Sequence, residues 1–288
     1  GAVVNVAGGN GFRLLAANEL APFLSSGATT NVAMGYQHGG SFIAATTVNS
    51  LTLNQYGGTA AFGPIPQNTT LTITSGGIIA QAGNRGISGG LLAVGGSPAF
   101  IHTIGDLDFS AGITGTAGMT KSSAGTLNLN RAQFYTGATS VNNGTMVLNG
   151  GNNTLFVNAI GGANALNVNG GVLDLNGNSQ VVGTMATNNI APGVTASIIN
   201  NGAAATLTTT GNSTFAGNIN GNISLVRAGN STTTLSGANA YNGATIVRGG
   251  NLVLQSSGTI ANSSAIDVRF GQLLWDDYNG VNPGTTPP

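Results

Sequence analysis

The sequence contains no cysteine, which excludes disulfides and thiolate metal sites as sources of stability. Charge is almost as scarce. Seven Lys and Arg stand against seven Asp and Glu, 5% of 288 residues, for a net charge of zero; ordinary soluble domains carry roughly 25%. A phosphate backbone needs a basic run to neutralise it and none exists, so nucleic acid is excluded as a partner. An anionic membrane surface finds nothing to hold either. No apolar run approaches the roughly 18 residues a spanning helix needs, so this segment is not expected to insert into a membrane. Helical periodicity is scarce too. The stretch "RLLAANELAPFL" from Arg13 is the one candidate short helix, broken by Pro22.

What is present is glycine, at 48 residues, and a hydrophobic fraction of 41%. The hydrophobic residues fall in short regular bursts, which argues against disorder. "LTLN" starts at Leu51, "LTIT" at Leu71, "LLAV" at Leu91, "LNLN" at Leu127 and "LNVN" at Leu166. Each burst alternates apolar and polar residues, the period of a strand with one buried face. Corners follow as "SGG" at Ser75, "NGG" at Asn149 and Asn169, and "RGG" at Arg248. Gly and Asn tolerate the positive φ that tight corners demand.

A longer echo lies above this rhythm. "TLNLNRAQFYTGATSVNNGTMVLNGG" from Thr126 returns as "TTTLSGANAYNGATIVRGGNLVLQSS" from Thr232, an offset of 106 residues. The offset pairs Leu129 with Leu235, Tyr135 with Tyr241, Val141 with Val247 and Leu148 with Leu254. Gly137 meets Gly243, Gly144 meets Gly250, and upstream Lys121 meets Arg227. Antiparallel hairpins require no such echo, whereas stacked coils do. An offset of this size is about five coils of roughly 21 residues. The expected fold is therefore all-β, a right-handed parallel β-solenoid of about 20-residue coils. The expected divisions are a capping or irregular segment over 1–42, solenoid repeats over 43–275 and a linker over 276–288. Leu129, Val141, Leu148, Leu235, Val247 and Leu254 should face inward; Asn128, Asn130 and Asn149 should face out or sit at corners. The poverty in charge fits the same picture, because coils in register set like charges above one another. Asn, Thr and Ser form neutral ladders instead.

"GTLNLNRAQFYTGATSVNNGTMVLNG" from Gly125 and "TTTLSGANAYNGATIVRGGNLVLQ" from Thr232 resemble the autotransporter-associated β-strand repeat, also called the passenger-associated transport repeat. "GGVLDLNGNSQVVGTM" from Gly170 and "NSTFAGNINGNISLVRAG" from Asn212 resemble its flanking material, so the likeness spans roughly residues 43–275. Arg131 and Gln133 depart from the Gly and Asn usual at those sites, which the second copy keeps as Gly237 and Asn239. The resemblance implies a secreted bacterial surface protein in which the repeats form a β-helical stalk or a transport-assisting segment, with no catalytic residues in the motif. Family members usually end in an outer-membrane barrel. The start at Gly1 and the closing "VNPGTTPP" fit a processed product or a piece of a longer protein.

Several residues are candidates for chemistry. "GISGG" from Gly86 matches the G-x-S-x-G nucleophile pattern around Ser88, but with so much glycine the match arises readily by chance, and an elbow needs a strand-to-helix turn. It is expected to be a turn. His38 and His102 are too few for a metal site without carboxylates. "GGNG" from Gly8 resembles the start of a calcium nonapeptide, but Arg13 stands at the Asp position. "WDDYNG" from Trp275 offers Asp276 and Asp277 as oxygen ligands; a solvated turn is the preferred reading, with Trp275 and Tyr278 as an aromatic cap on the last coil. The sharpest enzymatic candidate is "GDLDF", which sets Asp106 and Asp108 on one strand face with Cα atoms about 6.5–7 Å apart, a spacing comparable to two-carboxylate glycosidases. No catalytic, cofactor-binding or metal-binding residue is assigned, and no cofactor is expected. The preferred function is a non-enzymatic, extracellular or cell-surface structural stalk, with an adhesive role, glycans or neighbouring surfaces as partners, and end-to-end or side-by-side self-association. The alternatives are a self-assembling extracellular filament subunit and a polysaccharide-acting β-helix enzyme.

Overall fold

The structure is a computed structural model that describes residues 3–5, 12–14, 20–21, 27–34, 45–53, 60–81, 83, 85–155, 164–188 and 194–276. Among these residues there is no helix, and apart from Val3–Asn5 and Phe12–Leu14 the paired strands run parallel to strands one coil away. The fold is a parallel β-solenoid with coils of about 21 residues. Two compact units divide the chain, Gly1–Gly137 and Ala138–Pro288.

In the first unit the described residues of the expected helix, 13–14 and 20–21, lie in strands, and the rest of that stretch lies outside the described residues. Phe12–Leu14 pairs antiparallel with Val3–Asn5, and Leu20–Ala21 pairs in parallel with Asn31–Val32. At those residues strand partners outweigh helical preference. Asn31–Met34 stacks in turn on Ser50–Leu53. Parallel pairing is thus present among the described residues from Leu20. From Leu71 onward the register is regular: Ile78 lies under Ile101 and Ile101 under Lys121, while Leu107 lies under Leu127 and Phe109 under Leu129. The inward members of these columns are fully buried. One burst is shifted by a residue. Leu71 pairs with Leu92 and not with Leu91, because the long strands Ala60–Ala80 and Arg85–Val94 meet through register breaks. Such bulges insert residues into one strand and bend it, which forms a corner without leaving the ladder.

In the second unit one apolar column runs Met146, Leu173, Ile198, Ile219, and another runs Phe215, Leu235, Leu254, Trp275. Coil length varies more here. Asn142 meets Asn169 after 27 residues, Asn169 meets Asn188 after 19, and Met185 meets Ser213 after 28. Leu129, Val141, Leu148, Leu235, Val247 and Leu254 are all completely buried, as their spacing requires. Asn130 and Asn149 are exposed and Asn128 is half-buried on the outer face.

Candidate functional site

The two echoing segments fold alike, strand for strand. Thr126–Leu129, Phe134–Tyr135 and Thr139–Val141 in the first copy correspond to Thr232–Leu235, Ala240–Tyr241 and Thr245–Val247 in the second. Thr145–Leu148 corresponds to residues 251–254 within the strand Gly250–Gln255. Burial alternates identically across each pair, down to an exposed residue followed by a buried tyrosine. Gly144 and Gly250 both adopt positive φ, at 68° and 64°. A Cβ on Gly250 would stand 2.0 Å from the Ser231 carbonyl oxygen, so the position requires glycine for space as well as conformation.

Each copy buries one cation inside the solenoid. Lys121 follows Met119 by two residues on a strand and so shares its inward face, above Ile101. Its Nζ donates to the carbonyls of Ser122 at 3.3 Å and Ser123 at 2.5 Å. Burial lowers its pKa to about 8, with Asp106 pulling the other way. Arg227, the matching residue, is the largest fully buried side chain and sits in the column between Thr209 and Val247. Its Nε donates to Ser231 O at 3.0 Å and its Nη1 to Thr209 O at 2.9 Å; Nη2 has no partner among the described residues. Burial depresses its pKa as well. Both cations thus tie down backbone carbonyls near their strand's end with charge-assisted bonds, and the Thr209 and Ser231 carbonyls also accept from the Ala228 and Asn251 N–H groups.

A second polar staple distinguishes the next corner. Asn239 accepts from the Ile219 N–H at 3.0 Å and donates to the Gly237 carbonyl at 3.0 Å. In the first copy Gln133 accepts from the Ile113 N–H at 2.9 Å and donates to the Arg131 carbonyl at 2.7 Å. The partners are the same positions 106 residues apart. The departure of Arg131 and Gln133 from the usual pair thus retains the hydrogen bonds. Gln180 repeats the scheme with Leu155 N and Asn178 O. Beyond this corner Tyr241 donates or accepts a 2.7 Å bond with Thr245, whose hydroxyl also meets Ser263 at 2.9 Å. Burial raises the Tyr241 pKa to about 12, the Thr245 bond opposing in part.

The outer face is a set of ladders. Asn169 donates to Asn142, Asn176 to Asn149 and Asn49 to Asn31, at 2.6–2.9 Å. Asp106 and Asp108 do share the exposed face of the strand Leu107–Gly115 and its lead-in. Each is engaged by the coil above: Asp106 accepts from the Thr126 N–H and Asp108 from the Asn128 amide, both at 2.9 Å. His102 Nδ1 meets the Ser122 hydroxyl at 2.7 Å, again one coil apart, and partial burial lowers its pKa. These contacts account for the polar atoms by stacking.

The remaining candidates separate. Ser88 lies inside the strand Arg85–Val94 opposite Ser110, at a register break. The expected turn is a bulged strand, and no helix follows to make a nucleophile elbow. Trp275 and Asp276 are exposed on the strand Gly271–Asp276, where Gln255 donates to Asp276 at 3.5 Å. His38, Gly8, Asp277 and Tyr278 lie outside the described residues. Among the described residues no group of three or more His, Asp and Glu is placed to hold a metal ion. The inward position of Lys121, Arg227, Gln133 and Asn239 is not assigned from the sequence; the signal that could have found the two cations is the same period-two alternation, which sets Lys121 on the face of Met119.

The fold and these contacts define a β-solenoid whose repeated polar side chains are used in joining coil to coil. A family model, the passenger-associated-transport-repeat, matches twice, over residues 119–148 and 225–254. Each match runs from the strand of the buried cation to the last strand of the repeat, so the chain carries two passenger-associated transport repeats. No curated protein and no solved structure matches the chain.

Proposed function

We propose that this chain is a structural stalk displayed outside a bacterial cell, a passenger segment that presents its neutral side faces to glycans or neighbouring surfaces without acting on them. The observation that carries this reading is the repeat itself. Position by position, what recurs at the 106-residue offset is the material of coil stacking: inward Leu and Val, a buried cation on carbonyls, an amide bridging two backbone groups, a positive-φ glycine. Two tests apply. Antibodies against the chain should label intact cells of the producing bacterium; labelling only after permeabilisation would defeat the surface assignment. Asp106→Asn and Asp108→Asn, assayed against a panel of polysaccharides beside the parent chain, should show no activity to lose. Hydrolysis by the parent chain that either substitution abolishes would replace the stalk by a glycan-acting enzyme.

A further inference from the structure

An Asn followed by Gly is open to attack by the glycine nitrogen on the asparagine side-chain amide, because glycine sets no Cβ in the path of the closing ring. The sequence repeats this pair at several corners, and the folded chain treats the copies differently. After Asn176, Asn201 and Asn242 the glycine N–H is committed elsewhere, to Asn200 Oδ1 at 2.7 and 3.3 Å and to the Ile223 carbonyl at 3.0 Å. At Asn149, Asn169 and Asn220 the side-chain carbonyl is drawn to another coil. It accepts from the Asn176 amide at 2.6 Å, the Asn188 N–H at 2.8 Å and the Ala240 N–H at 3.2 Å. Asn143–Gly144 is arranged otherwise. The Gly144 N–H donates to Asn143 Oδ1 at 2.7 Å, so the side chain is folded back over the nitrogen that follows it. A C=O bond is about 1.2 Å long, which puts the carboxamide carbon within about 4 Å of that nitrogen, near a reactive approach. Asn143 is exposed, so water reaches its amide.

We infer that Asn143 is a site of self-modification, converted to aspartyl and isoaspartyl residues through a succinimide. The Gly144 nitrogen gives up its proton to solvent base and attacks the Asn143 side-chain carbon. The bond from that carbon to the amide nitrogen breaks, and the amide nitrogen takes a proton from water and leaves as ammonia. Water then opens the ring. Attack at the side-chain carbon breaks its new bond to the Gly144 nitrogen and gives aspartate. Attack at the main-chain carbon breaks the original peptide bond and gives isoaspartate, with the chain running through the side chain. Nothing is oxidised or reduced, and water is the co-reactant. Either product sets a carboxylate beside the neutral Asn142–Asn169 ladder. Isoaspartate also adds a methylene to the main chain next to Gly144, whose carbonyl accepts the Val172 N–H of the next coil at 2.8 Å. The second copy has no such site, since Gly249 and Gly250 stand at the positions of Asn143 and Gly144. The inference is independent of the stalk reading and holds wherever the chain resides.

Incubation of the full chain at neutral to mildly alkaline pH, followed by peptide mapping with mass spectrometry, tests it. Among the Asn–Gly pairs of the described residues, Asn143 should convert about tenfold faster than the rest, because misplaced reacting atoms cost up to about a hundredfold. Both aspartate and isoaspartate should form, and in heavy-oxygen water each product should take up a single labelled oxygen. The same incubation in urea removes the fold and keeps the sequence, so there the pairs should react alike. No conversion at Asn143 would overturn the inference, as would another of these pairs converting as fast in the folded chain. The same lead for Asn143 in urea would trace the reactivity to sequence and overturn it too. Aspartate formed without isoaspartate would mean direct hydrolysis of the amide, with no ring, and would equally defeat it.

Discussion

Asn239→Ala isolates one corner of the second repeat. The Asn239 side chain is 3% exposed, and its amide serves the Ile219 N–H and the Gly237 C=O, each at 3.0 Å. Truncation removes both partners and leaves two backbone groups inside the corner. A buried unpaired group costs about 1–3 kcal/mol, so the expected loss is about 3–4 kcal/mol. If water entered the corner freely, the loss would fall to about 1 kcal/mol, the ordinary net worth of a hydrogen bond. Asn239→Leu fills the space but bonds nothing and should cost about as much as alanine. Urea unfolding followed by far-UV circular dichroism reads the difference as a lower midpoint at unchanged slope. A loss below about 1 kcal/mol for both variants would refute the staple.

The two copies supply an internal control. Gln133 makes the equivalent bonds with a side chain one methylene longer. Gln133→Asn should therefore fail to reach the Ile113 N–H and lose about 1–3 kcal/mol. In the second copy, a Cβ on Gly237 would stand 2.0 Å from the Gly217 carbonyl oxygen. Glycine there permits a close backbone approach across which Asn suffices, and Arg131 in the first copy goes with the longer amide. Asn239→Gln should accordingly cost less than Asn239→Ala, because it keeps a donor and an acceptor at the corner.

Other outcomes follow from the buried groups. Burial holds Lys121 at about 8 in the folded chain against 10.5 when free, so between those values the unfolded chain binds more protons. Stability should rise with pH through that window, by at most about 3 kcal/mol, and fall back as pH drops through 8; thermal melts of Lys121→Met should lack the rise. Tyr241 has the opposite sign: raised to about 12 from 10, it contributes stability that is full below pH 10 and lost as pH climbs to 12, and Tyr241→Phe should flatten that alkaline fall. Gly250→Ala forces a non-glycine residue into φ of 64° with its Cβ against Ser231 O and should cost at least about 2 kcal/mol in urea unfolding.

The inward face was legible because alternation with period two fixes it: Leu129, Val141, Leu148 and their partners at the 106-residue offset need only their own spacing to be placed. Coil stacking was legible for the same reason, since residues that stack must resemble one another. Corners were harder. A corner is specified by where the chain must return, so coils in which Asn142 meets Asn169 after 27 residues and Asn169 meets Asn188 after 19 share no local period. The shift that puts Leu92 and not Leu91 above Leu71 is of this kind, set by bulges in strands whose partners lie a coil away. Within "RLLAANELAPFL" the described residues, 13–14 and 20–21, pair as strands with partners that no short window can reveal.

The distribution of charge follows from stacking more closely than composition alone implied. On the outer face a carboxylate meets a neutral donor one coil away, Asp106 the Thr126 N–H and Asp108 the Asn128 amide, and the buried Asp174 likewise meets the Asn201 amide at 2.8 Å. No like charge stands above another in these contacts, so each bond gains from the carboxylate without repulsion along the ladder. Inside, the rule is stricter, because a buried charge must be solvated by the protein. Lys121 stands above Ile101, and Arg227 stands between Thr209 and Val247, each alone in its column and each turned onto carbonyls. A carbonyl left at a corner by a departing strand is the ligand such a cation needs. The repeat therefore places its cation near the end of the strand that precedes the corner, where Lys121 and Arg227 each add a charge-assisted bond to a carbonyl of that corner.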